Sequence, residues 1–559
     1  MKFFSLILIP MLLWAGEYIL VFEGNRFFSD DRLYQELGFE RSFWDKLRGK
    51  REVKIDKKLI DPLKEQLLLF YKEEGFWDTQ IKTVTKKTRV IFSIRESRPI
   101  KIASVEITSD FPIKNLINLK NGDRFNAKEF ALSKERIKKA LLKAGYCSFD
   151  LDAKAYLFVK RKTAYLVYYL QKGSPCKIKS VTLSGNTTLK EEVIKDHIFL
   201  KPNEPFYLEK VEESYRSLYS LEYFESVYID YSKKIDNQIF VNVKTKEKDK
   251  NNIYRISAGF ETLHGPKASI SYKNLNISSK QLYFELKSSK NLKLSKISLF
   301  VPSLSMFDRR FDTIFTASYS DEKYEIFREK KGSFSVSIAK EYYKRSIKLS
   351  MGTEQIDISS EELCIKTGRF NLIYPTVEFA IDARDSKLSP KNGYYLKNKT
   401  KFALFDQKNR FVKNATKAKF LKTFNKIGLS FKADISFLAE LSGDPPVSWL
   451  LYAGGANSNR AYSYNRLTAT DTACKIGGKI LLDTSLEADF PLYEKIKGAL
   501  FWDRTAIKNR SYDILSKAVN SAGIGLRYDT VIGELRADFG FRMDEFSQNA
   551  FHIYLGGVF

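Results

Sequence analysis

Residues that commonly carry catalysis are few and dispersed in this sequence of 559 residues. Alternating carboxylates at 483–489 fit contact with water more simply than paired acid–base chemistry. There is no G-x-S-x-G or P-loop sequence, and the lone G-x-G at Gly523 and Gly525 lies in a strand-like segment, where packing accounts for it. No serine or cysteine lies at a spacing typical of nucleophilic catalysis from any of the three histidines, which are His197, His264 and His552. The sequence therefore predicts a protein that is not an enzyme and binds no cofactor.

The four cysteines form no C-x-x-C or Cys/His cluster, so no metal site is predicted. Cys147 and Cys176 flank two strand-like segments and lie at equal distances along the chain from the turn between them. Facing positions of a hairpin are equidistant from its turn, so we predict a Cys147–Cys176 disulfide. It would close a loop of about 30 residues and contribute roughly 3 kcal/mol. No comparable argument applies to Cys364 and Cys474.

The most distinctive polar candidate lies in a long connection, residues 439–478. A connection of about 40 residues is far longer than an ordinary hairpin loop and is either functional or disordered. Packing is favoured over disorder by two adjacent glycines and three tyrosines, which are Gly454, Gly455, Tyr452, Tyr462 and Tyr464.

Arg460 lies near the middle of this connection, and a guanidinium can hold a carboxylate with two parallel hydrogen bonds. Glu487 and Asp503 lie in the polar rows of the next two strand-like segments. We predict that Arg460 pairs with both carboxylates, in a partly hydrated cluster, and fixes the loop tip with Tyr462 to an inner wall. The alternative is an arginine solvated at an outer tip.

Composition limits the class of fold. Basic residues number 94 and acidic residues 67, which gives a net charge of +27, and the mean hydropathy is −0.32. No apolar run of about 18 residues or more follows the N-terminal stretch, which excludes a helical protein with several membrane spans. Aromatic residues reach 14%, and an aromatic-rich, hydrophilic chain is typical of a transmembrane β-barrel. Because the lysines are spread along the chain, a solvated surface explains the charge better than nucleic-acid binding.

The N-terminus has the pattern of a secretory signal. Lys2 precedes an apolar stretch, Phe3–Ala15, and small Gly16 follows it. This stretch is too short to span a bilayer, so we predict a signal peptide at 1–16 and export of the chain. The alternative is an apolar first strand.

Three similar units follow, at 17–98, 99–174 and 175–248. Each reads as β-α-α-β-β and begins with an alternating strand. Gly75 and Gly145 stand where the second helix of the first two units needs a residue with positive φ, and Glu222 takes that position in the third. Small repeated modules of this kind bind extended peptides by adding a strand to a sheet edge. The alternative is a spacer array without a ligand.

Residues 249–559 show almost no helical period and divide into about 16 alternating segments separated by polar turns. Charged residues fill one row of several segments and aromatic or aliphatic residues fill the other. A soluble sandwich also alternates, but this division favours lipid outside and water inside. The sequence thus predicts an α+β repeat region followed by an all-β transmembrane barrel of about 16 antiparallel strands.

Motifs across the chain carry a family resemblance. "EFAIDARDSKLSPKNGYYL" (378–396) is similar to a turn motif, and "YAGGANSNRAYSYNRL" (452–467) is similar to an inward loop with a GG…R-G-[FY] tip, here with Ala461 in place of glycine. "SLEADFPL" (485–492), "ALFWDRTAI" (499–507) and "GIGLRYDTVIGELRADFGF" (523–541) are similar to late barrel strands. Together the chain resembles POTRA domains joined to a BamA/TamA-family barrel. The turn motif is carried by Asp382, Arg384, Asp385 and Gly393.

The resemblance implies a location, a layout and partners. Members of this family lie in the outer membrane of Gram-negative bacteria with their POTRA domains in the periplasm, and three POTRA domains match the TamA layout best. An inner-membrane-anchored TamB-like partner would then bind the first repeat around Tyr18–Phe22. Client outer-membrane or secreted proteins and outer-membrane lipid are the other implied partners, and nucleic acid is not one.

The two end strands of the barrel are predicted to form a lateral seam. The first spans Ile253–Phe260, and the last spans Phe551–Phe559 and ends on an aromatic residue. Gly556 and Gly557 interrupt its apolar face, and glycines weaken a strand. We expect few strong ladder bonds there.

These features predict an outer-membrane insertase or translocation factor that hydrolyses nothing. A BamA-type core assembly role or a two-partner-secretion role is the alternative within the family. A passive porin is the alternative from another class, but a porin needs neither repeats nor an inward arginine loop.

Overall fold

The computed structural model describes residues 17–39, 53–185, 188–261, 265–306, 309–386, 389–404, 409–471, 474–493, 495–510, 517–530 and 533–555. The predicted signal peptide lies outside the described residues. Within those ranges, no helix is both long and apolar enough to cross a membrane. The chain divides into two units, one of residues 1–180, 202–209 and 231–241, the other of residues 181–201, 210–230 and 242–559.

The described part of the first repeat, 17–39 and 53–98, contains one strand more than predicted. Its elements are β1 (Glu17–Glu23), α1 (Asp30–Glu36), β2 (Val53–Asp56), α2 (Ile60–Glu73), β3 (Gln80–Lys86) and β4 (Arg89–Arg95), and the sheet order is β2-β1-β4-β3. The extra strand, β2, pairs antiparallel with β1. One face of α2 is buried because its apolar residues recur at helical spacing, at Leu63, Leu67, Phe70 and Tyr71.

The second repeat has only one full helix, which corrects the predicted pair. Its elements are β5 (Lys101–Ser109), a 3-10 helix (Lys114–Leu116), α3 (Ala127–Lys143), β6 (Asp150–Phe158) and β7 (Thr163–Gln171), in the sheet order β5-β7-β6. Asn115 and Asn118 are weak helix formers, which explains the short first helix. Asn126 caps α3 by accepting a hydrogen bond from the Glu129 amide at 2.8 Å.

Cys147 and Cys176 are joined in a disulfide, with their Cα atoms 5.8 Å apart. Both cysteines are buried. The bond ties the chain just after α3 to the chain just before the third repeat.

The positive φ predicted after the second helix of the first two repeats is confirmed, at 90° for Gly75 and 91° for Gly145. Glu222, at the same position of the third repeat, also has a positive φ of 61°.

We expect the double variant Cys147→Ser/Cys176→Ser to lower the free energy of unfolding of the second repeat by about 3 kcal/mol, because the unfolded chain regains the entropy of the closed loop. Urea unfolding of the purified protein, followed by circular dichroism, measures this loss. Thiol labelling of the denatured, unreduced wild type should find neither cysteine free, and labelling at both would contradict the bond.

The third repeat comprises β8 (Lys177–Ser184), α4 (Glu191–Asp196), α5 (Leu208–Ser220), β9 (Phe224–Asp230), β10 (Lys234–Ile235) and β11 (Gln238–Glu247). β11 lies between β10 and β8 and also pairs with β9. This repeat keeps the two predicted helices.

His197, directly after α4, connects this repeat to a barrel strand of the same unit. Its Nδ1 lies 2.7 Å from the Val193 carbonyl oxygen, and its Nε2 lies 3.0 Å from Asp312 Oδ2. Both neighbours are acceptors, so both ring nitrogens donate and the imidazole is protonated. Burial opposes the charge, but the bond to Asp312 and its charge outweigh burial and raise the pKa of His197.

The raised pKa predicts a pH dependence. The stabilisation from His197 is fully present below its unfolded-state pKa and is lost as the pH rises through the higher folded-state pKa. Other charged groups around His197 are the Lys340–Asp196 pair, 4.0 Å apart, and Glu341, which accepts a hydrogen bond from Ser217 at 3.4 Å. We therefore expect the stability difference between wild type and His197→Gln to shrink above about pH 6.5. Urea unfolding across this range measures it, and a difference that does not change with pH would contradict the assignment.

The barrel is a 16-stranded sheet in which each strand pairs antiparallel with the next in chain order, which confirms the predicted fold class. The strands are β12 (Asn252–Glu261), β13 (Gly265–Ile277), β14 (Lys280–Ser289), β15 (Leu292–Met306), β16 (Arg309–Lys323), β17 (Arg328–Tyr342), β18 (Arg345–Ser359), β19 (Gly368–Asp382), β20 (Gly393–Ala403), β21 (Arg410–Phe424), β22 (Ile427–Ser442), β23 (Ile480–Tyr493), β24 (Ile496–Lys508), β25 (Val519–Thr530), β26 (Gly533–Arg542) and β27 (Asn549–Leu555). The long loop follows the eleventh strand, β22. It begins at 443 and not at 439, because β22 remains paired with β21 as far as Ser442.

Alternation separates the two faces of the barrel wall. On β23, Leu486 is half exposed on the outer face, whereas Asp483 and Glu487 are buried on the inner one. The outer face also carries the rings of Tyr394, Phe420 and Phe431 on three successive strands, with neighbouring centroids 6.3 Å apart. This division is the one expected of a lipid-facing wall.

One patch of the outer face carries polar rather than apolar side chains. Asn398 and Thr400 on β20 face Thr416 and Asn414 on β21, respectively, near the middle of both strands. Each asparagine Nδ2 donates to the threonine hydroxyl opposite at 2.8 Å and to the other asparagine's Oδ1 at 3.3 Å. Each threonine hydroxyl donates to the asparagine on its own strand, at 3.3 and 3.4 Å. We call these four side chains the amide ring; it satisfies all of its own donors.

Candidate functional site

The long loop folds back into the barrel and packs on its wall. Leu451 and Gly478 exchange backbone hydrogen bonds of 2.8 and 2.9 Å at its base, and Ala453 pairs with Leu467 farther in. Apolar loop side chains form one buried cluster with Leu481, Ile507 and Val519 of the wall, and these are Leu451, Ala453, Ala461, Tyr462, Leu467 and Ala469. The aromatic and glycine content of the loop thus corresponds to a packed structure.

Two glycines shape the loop tip. Gly454 and Gly455 have φ of 97° and 105°, which side chains rarely adopt. A Cβ on Gly454 would lie 2.6 Å from the Ser463 carbonyl oxygen, so the close approach also requires glycine. Ala461, which stands where the family has glycine, is not among the residues with positive φ. The turn at the tip therefore depends on the glycine pair.

Arg460 is buried at the tip and held by several groups of the wall. Its Nε and Nη2 bond both carboxylate oxygens of Asp503, at 3.0 and 2.8 Å, in the two-pronged geometry expected of a guanidinium. Its Nη1 bonds Glu487, and its Nη2 donates to Ser485 at 3.0 Å. The guanidinium carbon also lies 3.4 Å from the ring centroid of Phe501. The structure thus brings together the three charged residues named from the sequence.

The cluster contains three more charged residues than the sequence reasoning named. Asp538 lies 3.5 Å from Arg460. Arg527 is hydrogen-bonded to Asp538 and forms an ion pair with Glu487 at 3.1 Å, and Arg536 is hydrogen-bonded to Glu487. We call the set the arginine cluster: Arg460, Arg527, Arg536, Glu487, Asp503 and Asp538. Within this set three cations balance three carboxylates, and two further carboxylates lie at its edge, Asp489 at 3.8 Å from Arg527 and Glu534 at 3.6 Å from Arg536.

The prediction of a partly hydrated pair was wrong. Relative exposure is 3% for Arg460, 9% for Glu487 and 0% for Asp503. The loop, Phe501 and the neighbouring strands cover these side chains, and the pairing of opposite charges makes such burial tolerable. Tyr462 is also buried, and its hydroxyl is bonded to Arg542 rather than to the cluster.

The loop tip also touches the last strand. His552 Nε2 donates to the Arg460 carbonyl oxygen at 3.2 Å, and Tyr554 donates to Asp538 at 2.8 Å. Gln548, just before β27, donates to the Ala461 carbonyl oxygen at 3.1 Å. A Cβ on Gly540 would lie 2.5 Å from the Arg460 oxygen, so this glycine permits the approach. The tip therefore contacts one of the two strands predicted to form the seam.

A second disulfide joins Cys364 to Cys474, with Cα atoms 6.2 Å apart. It ties the long loop to the connection between β18 and β19. Trp449 packs beside it in a buried cluster and donates to Glu354 at 3.1 Å. No local pattern in the sequence predicts this bond, because its two loops meet only in the folded barrel.

The turn motif at the other end of the barrel is built around two carboxylates. Arg384 bonds both oxygens of Asp382 at 2.7 Å. Asp385 accepts hydrogen bonds from the backbone amides of Lys391 and Asn392 at 2.9 and 3.0 Å and so closes the turn. Gly393 has a φ of 112°, and a Cβ there would lie 2.3 Å from the Ala383 oxygen. The four motif residues thus form a single structured turn.

The predicted seam is described only in part. β12 includes Ile253 and Phe260, and Phe260 pairs through its backbone with Pro266 of β13. The described part of β27 is Asn549–Leu555. Gly556, Gly557 and Phe559 lie outside the described residues.

Comparisons with known proteins agree with this geometry. The Omp85 superfamily domain matches residues 208–559, and POTRA, the surface antigen variable number repeat, matches residues 98–173. The chain is 22% identical to the outer membrane protein assembly factor BamA of Neisseria meningitidis, over 37% of this chain and 28% of that protein. It is 25% identical to BamA of Neorickettsia risticii, over 54% of this chain and 41% of that protein. The matches thus span less than half the length of these relatives.

A solved structure shares the fold. BamA from Haemophilus ducreyi lacking POTRA domains 1–3 aligns with a TM-score of 0.51 at 15% identity, covering 82% of this chain and 98% of that one. Since the Omp85 match covers more than half of the sequence and the barrel, repeats and inward loop accord with it, this chain belongs to the Omp85 superfamily.

Proposed function

We propose that this protein assembles client proteins into the outer membrane. The observation that carries the proposal is the inward loop, held by a buried arginine cluster inside a 16-stranded barrel. A passive pore has no need to fix a loop at the cost of burying six charges. The protein is not an enzyme, the barrel lies in the outer membrane, and the POTRA repeats lie in the periplasm.

The repeats offer sheet edges to extended clients. In the second repeat, β6 is an end strand of the sheet and, among the described residues, pairs with β7 alone, so its other edge is available for strand addition. Beside that edge, the uncovered face of the sheet carries exposed aromatic side chains, which are Tyr156, Phe158, Tyr165 and Tyr169. Alternating aromatic residues of an incoming barrel strand would pack on this face while its backbone pairs with β6.

We also propose that a TamB-like partner binds the first repeat, at an edge strand of its sheet. Tyr18–Phe22 belongs to β1, which pairs with β2 on one side and β4 on the other. A partner that adds a strand would therefore pair with β2 or β3, the two edges of this sheet. This geometry supports a contact beside the predicted residues rather than on them.

The client would leave through the seam between β12 and β27. A client strand that enters there can satisfy, within the lipid, the backbone groups that the two end strands expose when they separate. The contacts of the loop tip with β27 would connect the state of the loop to the state of the seam.

Reconstitution into liposomes tests the function. We expect an unfolded barrel protein to reach a protease-resistant, folded state faster in liposomes with this protein than in empty ones. A small entrapped dye reports simple leakage in the same vesicles. Dye release without faster client folding would overturn the proposal in favour of a passive pore, and transport of a soluble secreted partner without membrane insertion would favour a two-partner-secretion role.

A further inference from the structure

The inner wall and the long loop line an open cavity of about 940 Å³ at the end of the barrel where the long loop lies. Its rim is formed by the turns after β14, β16 and β26 and by the connection before β25, which lie at the same end as the long loop. This volume is within the range of sites that hold small ligands. The cavity is separate from the arginine cluster, and nothing in the assembly mechanism uses it.

The charge of the lining is strongly positive. Six of its side chains are cations, and two are acids, Glu325 and Asp544. Both acids are already engaged, Glu325 by Arg466 and Asp544 by Arg542, the latter at 2.8 Å. Among the described residues, no acid lies within 4.0 Å of the four lysine ammonium groups that remain, those of Lys290, Lys323, Lys475 and Lys517.

The rest of the lining is aromatic and neutral polar. Five rings line the cavity, and two of them, Tyr324 and Phe327, are stacked with centroids 4.3 Å apart. Tyr464, which also lines the cavity, is half exposed. Amides and hydroxyls complete the wall, at Asn291, Asn465, Thr468 and Thr470.

We propose that this cavity binds a phosphorylated saccharide. Sugar rings present C–H faces that pack on aromatic rings, and their hydroxyls exchange hydrogen bonds with amides and hydroxyls. The excess of ammonium groups supplies the charge that a phosphate requires. Neither a purely apolar ligand nor a neutral sugar would supply a negative charge to pair with the four lysine ammonium groups.

Two sources share this chemistry: the headgroup of a glycolipid in the outer leaflet and a free sugar phosphate. Calorimetric titration of the detergent-purified full chain with a phosphorylated glucosamine disaccharide tests the shared chemistry, and the same disaccharide without phosphate is its control. The acylated form, embedded in nanodiscs, tests the glycolipid source. Binding of the soluble phosphorylated form, weaker without phosphate and weaker in high salt, is the expected result.

Variants locate the site. Lys323→Gln/Lys475→Gln should weaken binding at least tenfold, and Tyr464→Ala should weaken it about threefold, with the barrel still folded by its migration in unheated gels. Lys366→Gln is the matched control, because Lys366 lies on another outer loop, 3.3 Å from Asp444, and should bind as wild type does. Three results would each overturn the proposal. The unphosphorylated sugar could bind equally well, an acidic peptide could bind more tightly, or the acylated form could bind regardless of the lysine changes.

Discussion

Arg460→Ala should abolish most client assembly and lower the stability of the folded barrel. Removing this buried cation leaves Asp503 without its two-pronged partner and the cluster with an uncompensated negative charge. Breaking a buried ion pair from one side typically costs about 3–5 kcal/mol. Urea unfolding in detergent, protease sensitivity of the loop and client folding in liposomes measure the three consequences.

The chain offers matched controls for this change. Arg466→Ala removes another loop arginine, half exposed and paired with Glu325, and should leave assembly nearly unchanged. Arg460→Lys keeps the charge but loses the planar fork, so an intermediate defect is expected. Asp503→Ala should resemble Arg460→Ala, and the double variant should be no worse than the worse single one, because the removed groups act together. Wild-type assembly in Arg460→Ala, with an equally protected loop, would refute the anchor.

Crosslinking the seam should stop assembly completely. Cysteines placed at Ile256 or Ala258 on β12 and at Phe551 or Ile553 on β27 should, when oxidised, hold the two end strands together. A client strand could then no longer reach the exposed backbone groups, so insertion should fall to the rate of empty liposomes. Reduction should restore it.

A crosslink that cannot affect the seam provides the control. Ser257 and Ser269 face each other on β12 and β13 with hydroxyl oxygens 2.6 Å apart, so cysteines there should bond without blocking clients. Wild-type protein treated with the same reductant controls for loss of the two native disulfides. Full activity in the oxidised seam variant would exclude lateral exit between these strands.

Alternation in the sequence predicted the faces of the barrel but not the neighbours across it. Glu487 and Asp503 could be named because they fall in the polar rows of the strands that follow the loop. Arg527, Arg536 and Asp538 fall in equally visible polar rows, yet their meeting depends on strand register and stagger. Period-2 patterns do not contain that information.

The two disulfides also show that local sequence patterns predict nearby pairings but not contacts that form only in the folded barrel. Cys147 and Cys176 are 29 residues apart and flank a recognisable hairpin, so local geometry predicted their pairing. Cys364 and Cys474 are 110 residues apart, on two loops that meet only after the intervening strands are in place. The extra strand of the first repeat was missed for a different reason: β2 has four residues, too few to show a period.

The amide ring has a consequence for how the barrel can move. If β21 slid by two residues along β20, Asn398 would face either Ala418 or Asn414 instead of Thr416. At least some of the hydrogen-bond donors of the amide ring would then lose their acceptors. Hydrocarbon offers no replacement for those bonds, so the slip is penalised more than it would be in water. β20 and β21 are the ninth and tenth of the 16 strands, far from both end strands. The ring therefore fixes the register of β20 and β21, which keeps that part of the wall stiff while the barrel deforms near its own first and last strands, β12 and β27.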